Sequence, residues 1–205
     1  MKIGTPEFII NTRDEFFSLL DKVKRDGIED LKKYLNESGF FDHPASRYYH
    51  ANYPGGLAWH SVNLTKIAMA LNTLYKTNIP EESIIISGLC HDLCKIGNYT
   101  IEYKWKKDDQ GKWVQYKTYG NKNIPQCQHG PQSALIAARY IRLKEIEEQA
   151  ICWHMGAYGQ SQQENKAMGN AMYKNKLVLL IQQADLASSS IYEQSFPADQ
   201  IPGLK

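Results

Sequence analysis

The chain has 205 residues, 42% hydrophobic and 22% charged. This is an ordinary globular composition, which excludes a disordered or collagen-like chain and predicts one domain. The net charge of +2 gives no argument for nucleic acid or an anionic membrane as a partner. No apolar run approaches the roughly 18–20 residues that cross a bilayer, so we expect no membrane partner. The first residues show no basic-then-apolar leader, and we expect a cytoplasmic protein with reduced cysteines.

Helical periodicity runs through most of the chain. Residues 1–45 are expected to form an N-terminal helical extension, in which Thr12 is a candidate N-cap and Gly27 separates two helices. Residues 193–205 contain two prolines and one glycine, and we expect them to form a peripheral tail. Apolar stripes at helical spacing predict further helices at 57–75, 81–93, 133–142, 146–153 and 176–192. The pattern therefore predicts an all-α fold, a single domain over residues 1–205.

Residues 98–120 break the helical pattern. Ile101, Tyr103 and Trp105 alternate with polar residues, and turn-forming residues follow at 108–111. This pattern predicts a β-hairpin inserted into the helical domain. Basic and aromatic side chains interleave here, as they do in proteins that bind single-stranded nucleic acid. The alternative is a ribbon that buries its aromatic rings on the helices.

Four of the six histidines lie at the ends or on the apolar stripes of predicted helices: His60, His91, His129 and His154. Asp92 follows His91 directly, and Asp185 lies on the inward stripe of the last helix. One inward histidine is usually a satisfied core residue, but a buried carboxylate is costly unless it is paired or ligated. Shared cations would satisfy all six side chains together, and six ligands exceed the usual four of one structural zinc.

The predicted ligands offer only nitrogen and oxygen atoms. Such a set suits divalent Mn, Fe, Co, Ni or Zn better than a metal that prefers thiolates. Two such ions close together are the usual machinery of phosphate ester hydrolysis. The residues therefore favour two divalent metal ions over one shared ion, and they leave open the identity of the metal and whether one or two ions are bound.

The segment from Gly88 to Lys95, which contains His91-Asp92, resembles the central motif of the HD-domain metal-dependent phosphohydrolases. The family's order of ligands is met by His60, by the His91-Asp92 pair and by Asp185. The two additional histidines of the family's binuclear branch are matched by His129 and His154. The resemblance implies an HD-domain helical bundle.

The opening Tyr53-Pro54-Gly55-Gly56-Leu57-Ala58-Trp59-His60 is similar to that of the HD domain of bacterial 3′→5′ exoribonucleases. Those enzymes usually carry a separate nucleic-acid-binding OB domain, which we do not expect within these 205 residues. Three-metal members of the cyclic-di-GMP class have a carboxylate where this chain has Gly56 and a histidine where it has Met155. The resemblance therefore implies two metals at most.

The resemblance also implies roles near the metals. Lys95 would contact the scissile phosphate or the metal-bound water, although a lysine at a helix C-terminus is also favourable to the helix dipole. Asp92 would help to accept the proton of a metal-activated hydroxide. Arg47, His50 and Tyr53 precede the first ligand and are candidates for substrate binding, because an arginine there can pair with phosphate. The alternative is a plain surface loop.

We therefore predict a metal-dependent phosphohydrolase that cleaves a phosphate ester of a nucleotide or short oligonucleotide, with a phosphodiester favoured. One alternative is a nucleotide phosphomonoesterase or a dNTP hydrolase. Another is a non-catalytic module that binds nucleotide or RNA. The sequence leaves the substrate and the oligomeric state open.

Overall fold

The structure is a computed structural model, and it describes residues 2–122 and 127–204. Within this part of the chain it contains eight α-helices and one antiparallel hairpin, which confirms the predicted helical fold with an inserted hairpin. The hairpin strands are β1 (Tyr99–Lys107) and β2 (Trp113–Asn121). The helices are α1 (Pro6–Leu20), α2 (Ile28–Glu37), α3 (Gly56–Tyr75), α4 (Glu81–Cys90), α5 (His129–Ala137), α6 (Glu145–Cys152), α7 (Gln162–Lys174) and α8 (Lys176–Ala187). None of the described helices is both long enough and apolar enough to pass through a bilayer.

Helices α1 and α7 depart from the sequence prediction. Helix α1 begins six residues before Thr12, because Thr5 caps it by accepting a hydrogen bond from the Phe8 amide at 3.3 Å. Thr12 is buried inside that helix. The sequence does not predict helix α7, because its apolar stripe is short: Met168 is its one buried residue, and Ala171 and Met172 are partly buried beside it. The sequence feature that marks the start of this helix is a capping box, in which Ser161 and Glu164 hydrogen-bond to each other's backbone.

The core is built around α3, which packs against α4 on one side and α8 on another. Helix α4 is buried on nearly every face, as its apolar sequence predicts. A Cβ atom added at Gly88 would lie 2.3 Å from the Thr65 hydroxyl oxygen on α3. Glycine at this position therefore lets the two helices come into contact, only three residues before His91.

The Gly88→Ala substitution is expected to lower the free energy of unfolding by about 1–3 kcal/mol, because the added methyl group overpacks the α3–α4 contact. Gly169→Ala is the matched control, since nothing lies within 4 Å of its added Cβ on α7. That change is expected to stabilise the protein by up to about 1 kcal/mol through helix propensity. Urea unfolding of both variants measures the difference. Equal effects of the two changes would contradict the close contact.

The C-terminal residues are not the peripheral tail that their composition suggested. Ile201 and Leu204 are buried with Phe8 and Tyr53 in a small apolar cluster. The backbone is also tied down, since Ala51 donates a hydrogen bond to the Gln194 carbonyl at 2.9 Å. The Asn52 side-chain amide donates a hydrogen bond to the Phe196 carbonyl at 2.8 Å and accepts one from the Phe196 backbone amide at 2.9 Å. Prolines and a glycine interrupt helical periodicity here without preventing burial.

Candidate metal centre

Five helices bring the six predicted ligands to one place. His60 lies on α3, and the His91-Asp92 pair directly follows α4. His129 is the first residue of α5, while His154 lies two residues past the end of α6 and Asp185 lies near the end of α8. These side chains form three overlapping triads whose ligand atoms lie within 4.8 Å of one another: His60, His91 and Asp185; His91, Asp92 and His154; Asp92, His129 and the unpredicted Cys94.

Asp92 joins the two halves of the cluster. Its Oδ2 atom lies 3.3 Å from His91 Nε2 and 3.8 Å from His60 Nε2. Its Oδ1 atom faces the other way, 3.6 Å from His154 Nε2. A carboxylate placed in this way can offer one oxygen to each of two ions, so Asp92 is a candidate bridging ligand.

Hydrogen bonds at Nδ1 determine whether Nε2 of His91 and of His154 carries a proton. His91 Nδ1 lies 2.8 Å from the Gly88 carbonyl, and His154 Nδ1 lies 2.7 Å from the Ile151 carbonyl. A carbonyl oxygen only accepts, so both Nδ1 atoms carry the proton and donate it. In the neutral ring, Nε2 is then an unprotonated acceptor that points into the cluster. This is the tautomer that a metal ligand needs.

The arrangement leaves polar atoms that hydrogen bonds within the described chain do not satisfy. Asp92 Oδ1 and His154 Nε2 are buried without a hydrogen-bond partner, and both are acceptors. His60 Nε2 and His91 Nε2 face each other at 3.0 Å, and since His91 Nε2 has no proton to give, this contact is a hydrogen bond only while His60 keeps a proton on Nε2. Buried acceptors that converge without donors are costly, and cations between them would remove that cost. The side chains therefore fit divalent metals.

The electrostatics of the cluster favour positive charge. Burial lowers the pKa of His60, but the charges and hydrogen bonds of Glu193 and Asp185 outweigh it and raise that pKa to about 10. Burial raises the pKa of Asp185, but its hydrogen bond to His60 holds that pKa well below its usual range. The buried carboxylates thus stay ionised and attract a cation.

Cys94 lies beside Asp92 and His129 but is not a good ligand. Burial raises the pKa of its thiol to about 12, which makes the thiolate that metals bind costly to form at this position. His129 is half-buried, and burial lowers its pKa, which keeps its ring neutral. The donor set is therefore the nitrogen and oxygen set that the sequence predicted.

A cavity of about 720 Å³ opens onto the cluster. Asp92, His129, His154 and Asp185 lie in its wall, together with three of the four predicted substrate residues: Lys95, Arg47 and His50. Lys95 Nζ lies 2.6 Å from Asp92 Oδ2. Burial lowers the pKa of Lys95, but Asp92 outweighs it and raises that pKa well above its usual value. The cavity therefore holds a fixed positive charge next to the cluster.

Tyr53 is not part of this cavity wall. Its side chain is fully buried and packs edge-to-face against Phe8 and Phe196, with ring centroids 5.7 and 5.9 Å apart. Its ring fills the space between α1 and the C-terminal segment, so it packs the loop before α3 against the apolar core. The predicted contact of Tyr53 with substrate therefore does not fit the structure.

Other residues enter the site without a clear signal in the sequence. Tyr99 and Asn121, at the base of the hairpin, line the cavity with Tyr158 and Gln182. Glu193 contacts His60 from the far side of the ring. The hairpin residues reach the site through strand pairing, since Tyr99 and Asn121 are paired in the register. Glu193 follows the last predicted helix, where no periodicity indicates which way a side chain points.

Comparisons with known proteins agree with the motifs. No family model and no solved structure matches the chain. Over 82 residues it is 35% identical to the 3′-5′ exoribonuclease YhaM of Geobacillus sp., a match that spans 36% of this chain and 24% of that protein. Over 66 residues it is 33% identical to the same-named protein of Listeria welshimeri, spanning 32% of this chain and 20% of that protein.

The third relative is the dihydroneopterin 2′,3′-cyclic phosphate phosphodiesterase of Methanocaldococcus jannaschii. The chain is 38% identical to it over 82 residues, which are 38% of this chain and 31% of that protein. The chain thus matches less than a third of the length of each of these relatives. They confirm the resemblance to HD-domain phosphohydrolases, including the exoribonucleases, that the motifs predicted.

Proposed function

We propose, from this similarity to HD-domain phosphohydrolases, that the chain hydrolyses phosphodiester bonds of nucleotides or short oligonucleotides with two divalent metal ions. The observation that carries the proposal is the convergence of histidine ring nitrogens and ionised carboxylates in one cluster beside a cavity. A non-catalytic binding module would not require every predicted ligand, and all six lie in the cluster.

The six ligands divide into two sets that share Asp92. His60, His91 and Asp185 would hold one ion, and His129 and His154 the other. Divalent ions bound here supply Lewis-acid stabilisation of phosphoryl oxygens and activation of water. The metal itself stays open among Mn, Fe, Co, Ni and Zn.

Lys95 and His50 would contact the substrate. The Lys95 ammonium group is held against Asp92, and it would offer its remaining protons to a non-bridging phosphate oxygen. Burial lowers the pKa of His50 to about 4, so its ring is neutral, and its buried Nε2 has no hydrogen-bond partner among the described residues. We assign His50 to a hydrogen bond with the phosphate or the sugar.

Asp92 and Arg47 take narrower roles than the sequence suggested. Burial raises the pKa of Asp92, but the charge of Lys95 outweighs it and holds that pKa well below its usual value. A carboxylate of that kind is a weak proton acceptor, so we assign Asp92 to holding metal and orienting Lys95. Arg47 donates a hydrogen bond to the Tyr119 carbonyl at 2.8 Å and would reach substrate from the cavity rim.

Substrate preference tests the diesterase assignment. We expect the Mn²⁺-loaded protein to hydrolyse bis-p-nitrophenyl phosphate, cyclic nucleotides or short RNA faster than p-nitrophenyl phosphate or nucleoside monophosphates. The reverse order would favour a nucleotide phosphomonoesterase. Selective hydrolysis of dNTPs would favour a dNTP hydrolase. Stable metal-loaded protein without turnover of any of these substrates would favour the binding module. Cyclic phosphates are a second class of candidate substrate after oligonucleotides, because the relative from Methanocaldococcus jannaschii is named as a cyclic phosphate phosphodiesterase.

We further propose that one face of the hairpin guides single-stranded nucleic acid toward the cavity. Tyr103, Trp105 and Trp113 are each about 60% exposed, so these three rings do not pack on the helices. Alternation in the strands and the register place them on the same face as Tyr99 and Asn121, which line the cavity. Six lysines and three acidic residues between 99 and 122 make the hairpin basic. Stacking rings beside lysines suit an unpaired strand.

The Trp105→Ala/Trp113→Ala double variant tests the hairpin proposal. We expect it to bind a fluorescein-labelled single-stranded oligonucleotide at least about tenfold more weakly, because each stacked base contributes about 1–3 kcal/mol. Turnover of bis-p-nitrophenyl phosphate should not change. Tyr173→Ala removes a ring that is 82% exposed on α7 and is the control. Unchanged affinity in the double variant would refute nucleic-acid contact by this face.

The predicted cytoplasmic location and the single-domain organisation stay predictions.

A further inference from the structure

Glu193 is a buried carboxylate that the proposed reaction does not use directly. Its side chain is fully buried, and its two oxygens lie 3.0 and 3.1 Å from His60 Nδ1. The Ser188 hydroxyl donates a second hydrogen bond to it. A carboxylate is costly to bury unless such partners satisfy it, so the position of this side chain is specific.

The turn after α8 puts Glu193 in that position. The chain widens into a π-helical turn, Ser188–Tyr192, in which the Glu193 amide donates to the Ser188 carbonyl at 3.1 Å. Asp185, before the turn, lies 3.2 Å from His60 Nε2, whereas Glu193, after the turn, contacts Nδ1. The two carboxylates therefore hold opposite nitrogens of one ring.

His60 differs in this respect from the other two fully buried ligand histidines. His91 and His154 donate their Nδ1 protons to backbone carbonyls, whereas His60 donates to a charged side chain. An ionised acceptor forms a stronger hydrogen bond than a neutral one. It also increases the electron density that Nε2 offers to a metal.

We infer that Glu193 is a positioning residue, which fixes the tautomer and orientation of His60 and thereby tightens metal binding. The inference rests on the proposed metal-dependent function. The competing explanation is a structural ion pair between Glu193 and a protonated His60, which would stabilise the fold without strengthening metal binding. The two explanations differ in metal affinity, so that quantity tests them.

The experiment measures Mn²⁺ dissociation constants by electron paramagnetic resonance on the full chain after removal of metal by a chelator. We expect Glu193→Ala to weaken the tighter Mn²⁺ site by about 10–100-fold, the usual effect of losing such a partner. Glu193→Gln keeps an acceptor for Nδ1 without the charge, and it should recover part of that loss. Asp199→Asn is the control, since this carboxylate lies on the same C-terminal segment but pairs with Lys106; it should leave the affinity unchanged.

Circular dichroism and thermal unfolding of the metal-free proteins accompany the titrations. Wild-type affinity in a folded Glu193→Ala protein would overturn the inference and leave the proposed function intact. An equal loss in Asp199→Asn would also overturn it, because the effect would then belong to the whole segment. A wild-type protein that binds none of Mn²⁺, Fe²⁺, Co²⁺, Ni²⁺ and Zn²⁺ would instead contradict the proposed function. Should Glu193→Ala not fold, Glu193→Gln decides alone: unchanged affinity overturns the inference.

Discussion

The Asp92→Asn variant should lose metal-dependent phosphodiester turnover by about a thousandfold. Asp92 lies within reach of both ligand sets, and it also holds Lys95 at 2.6 Å. An amide keeps the shape of the carboxylate but removes the negative charge that attracts two cations. Loss of about 4 kcal/mol of transition-state stabilisation corresponds to that factor.

Initial rates of bis-p-nitrophenyl phosphate hydrolysis at saturating Mn²⁺ measure the effect. Asp14→Asn is the control, since this carboxylate is exposed and makes only a 3.9 Å contact with Arg13; its rate should equal that of the wild type. Circular dichroism establishes that both variants fold. A folded Asp92→Asn protein with more than a tenth of the wild-type rate would contradict the bridging role.

The Arg25→Met variant should lose about 3–5 kcal/mol of unfolding free energy. Arg25 donates two hydrogen bonds to the Glu147 carboxylate, at 2.7 and 2.9 Å, and a further one to Glu82. The Glu147 side chain is fully buried and also accepts from Ser83 at 2.8 Å. Removal of the guanidinium leaves a buried charge without its counter-ion, which is strongly destabilising.

This ion pair matters for the site because it ties α4 to α6, the helices that carry His91 and His154 at their ends. Urea unfolding measures the loss. The control is Lys22→Met, which breaks an exposed pair with Glu81 at 2.9 Å and should cost less than about 1 kcal/mol. Similar small losses in both variants would contradict the structural role of Arg25.

The ligand set could be predicted from the sequence because regular helices carry it. Periodicity placed His60 and Asp185 on inward faces, and the His91-Asp92 pair followed the most apolar helix. Side chains on the inner faces of packed helices lie close together, so these positions predicted a metal cluster. The hairpin was predictable for the same reason, since alternation has a fixed period in a strand.

Residues outside regular elements could not be placed in this way. Glu193 reaches His60 only because a π-helical turn redirects the chain, and no apolar period marks such a turn. Tyr53 lies in a loop, so the sequence did not show that its ring packs between Phe8 and Phe196. The burial of Ile201 likewise depends on contacts with residues distant in the chain. These positions are decided by tertiary packing rather than by local pattern.

The most direct test of the account is a Mn²⁺ titration of chelator-treated protein with bis-p-nitrophenyl phosphate as substrate. The account predicts no turnover without metal and a rate that rises until two ions are bound per chain. Turnover that persists in the presence of chelator, or that stays absent at saturating Mn²⁺, Fe²⁺, Co²⁺, Ni²⁺ and Zn²⁺ alike, would contradict a metal-dependent phosphodiesterase.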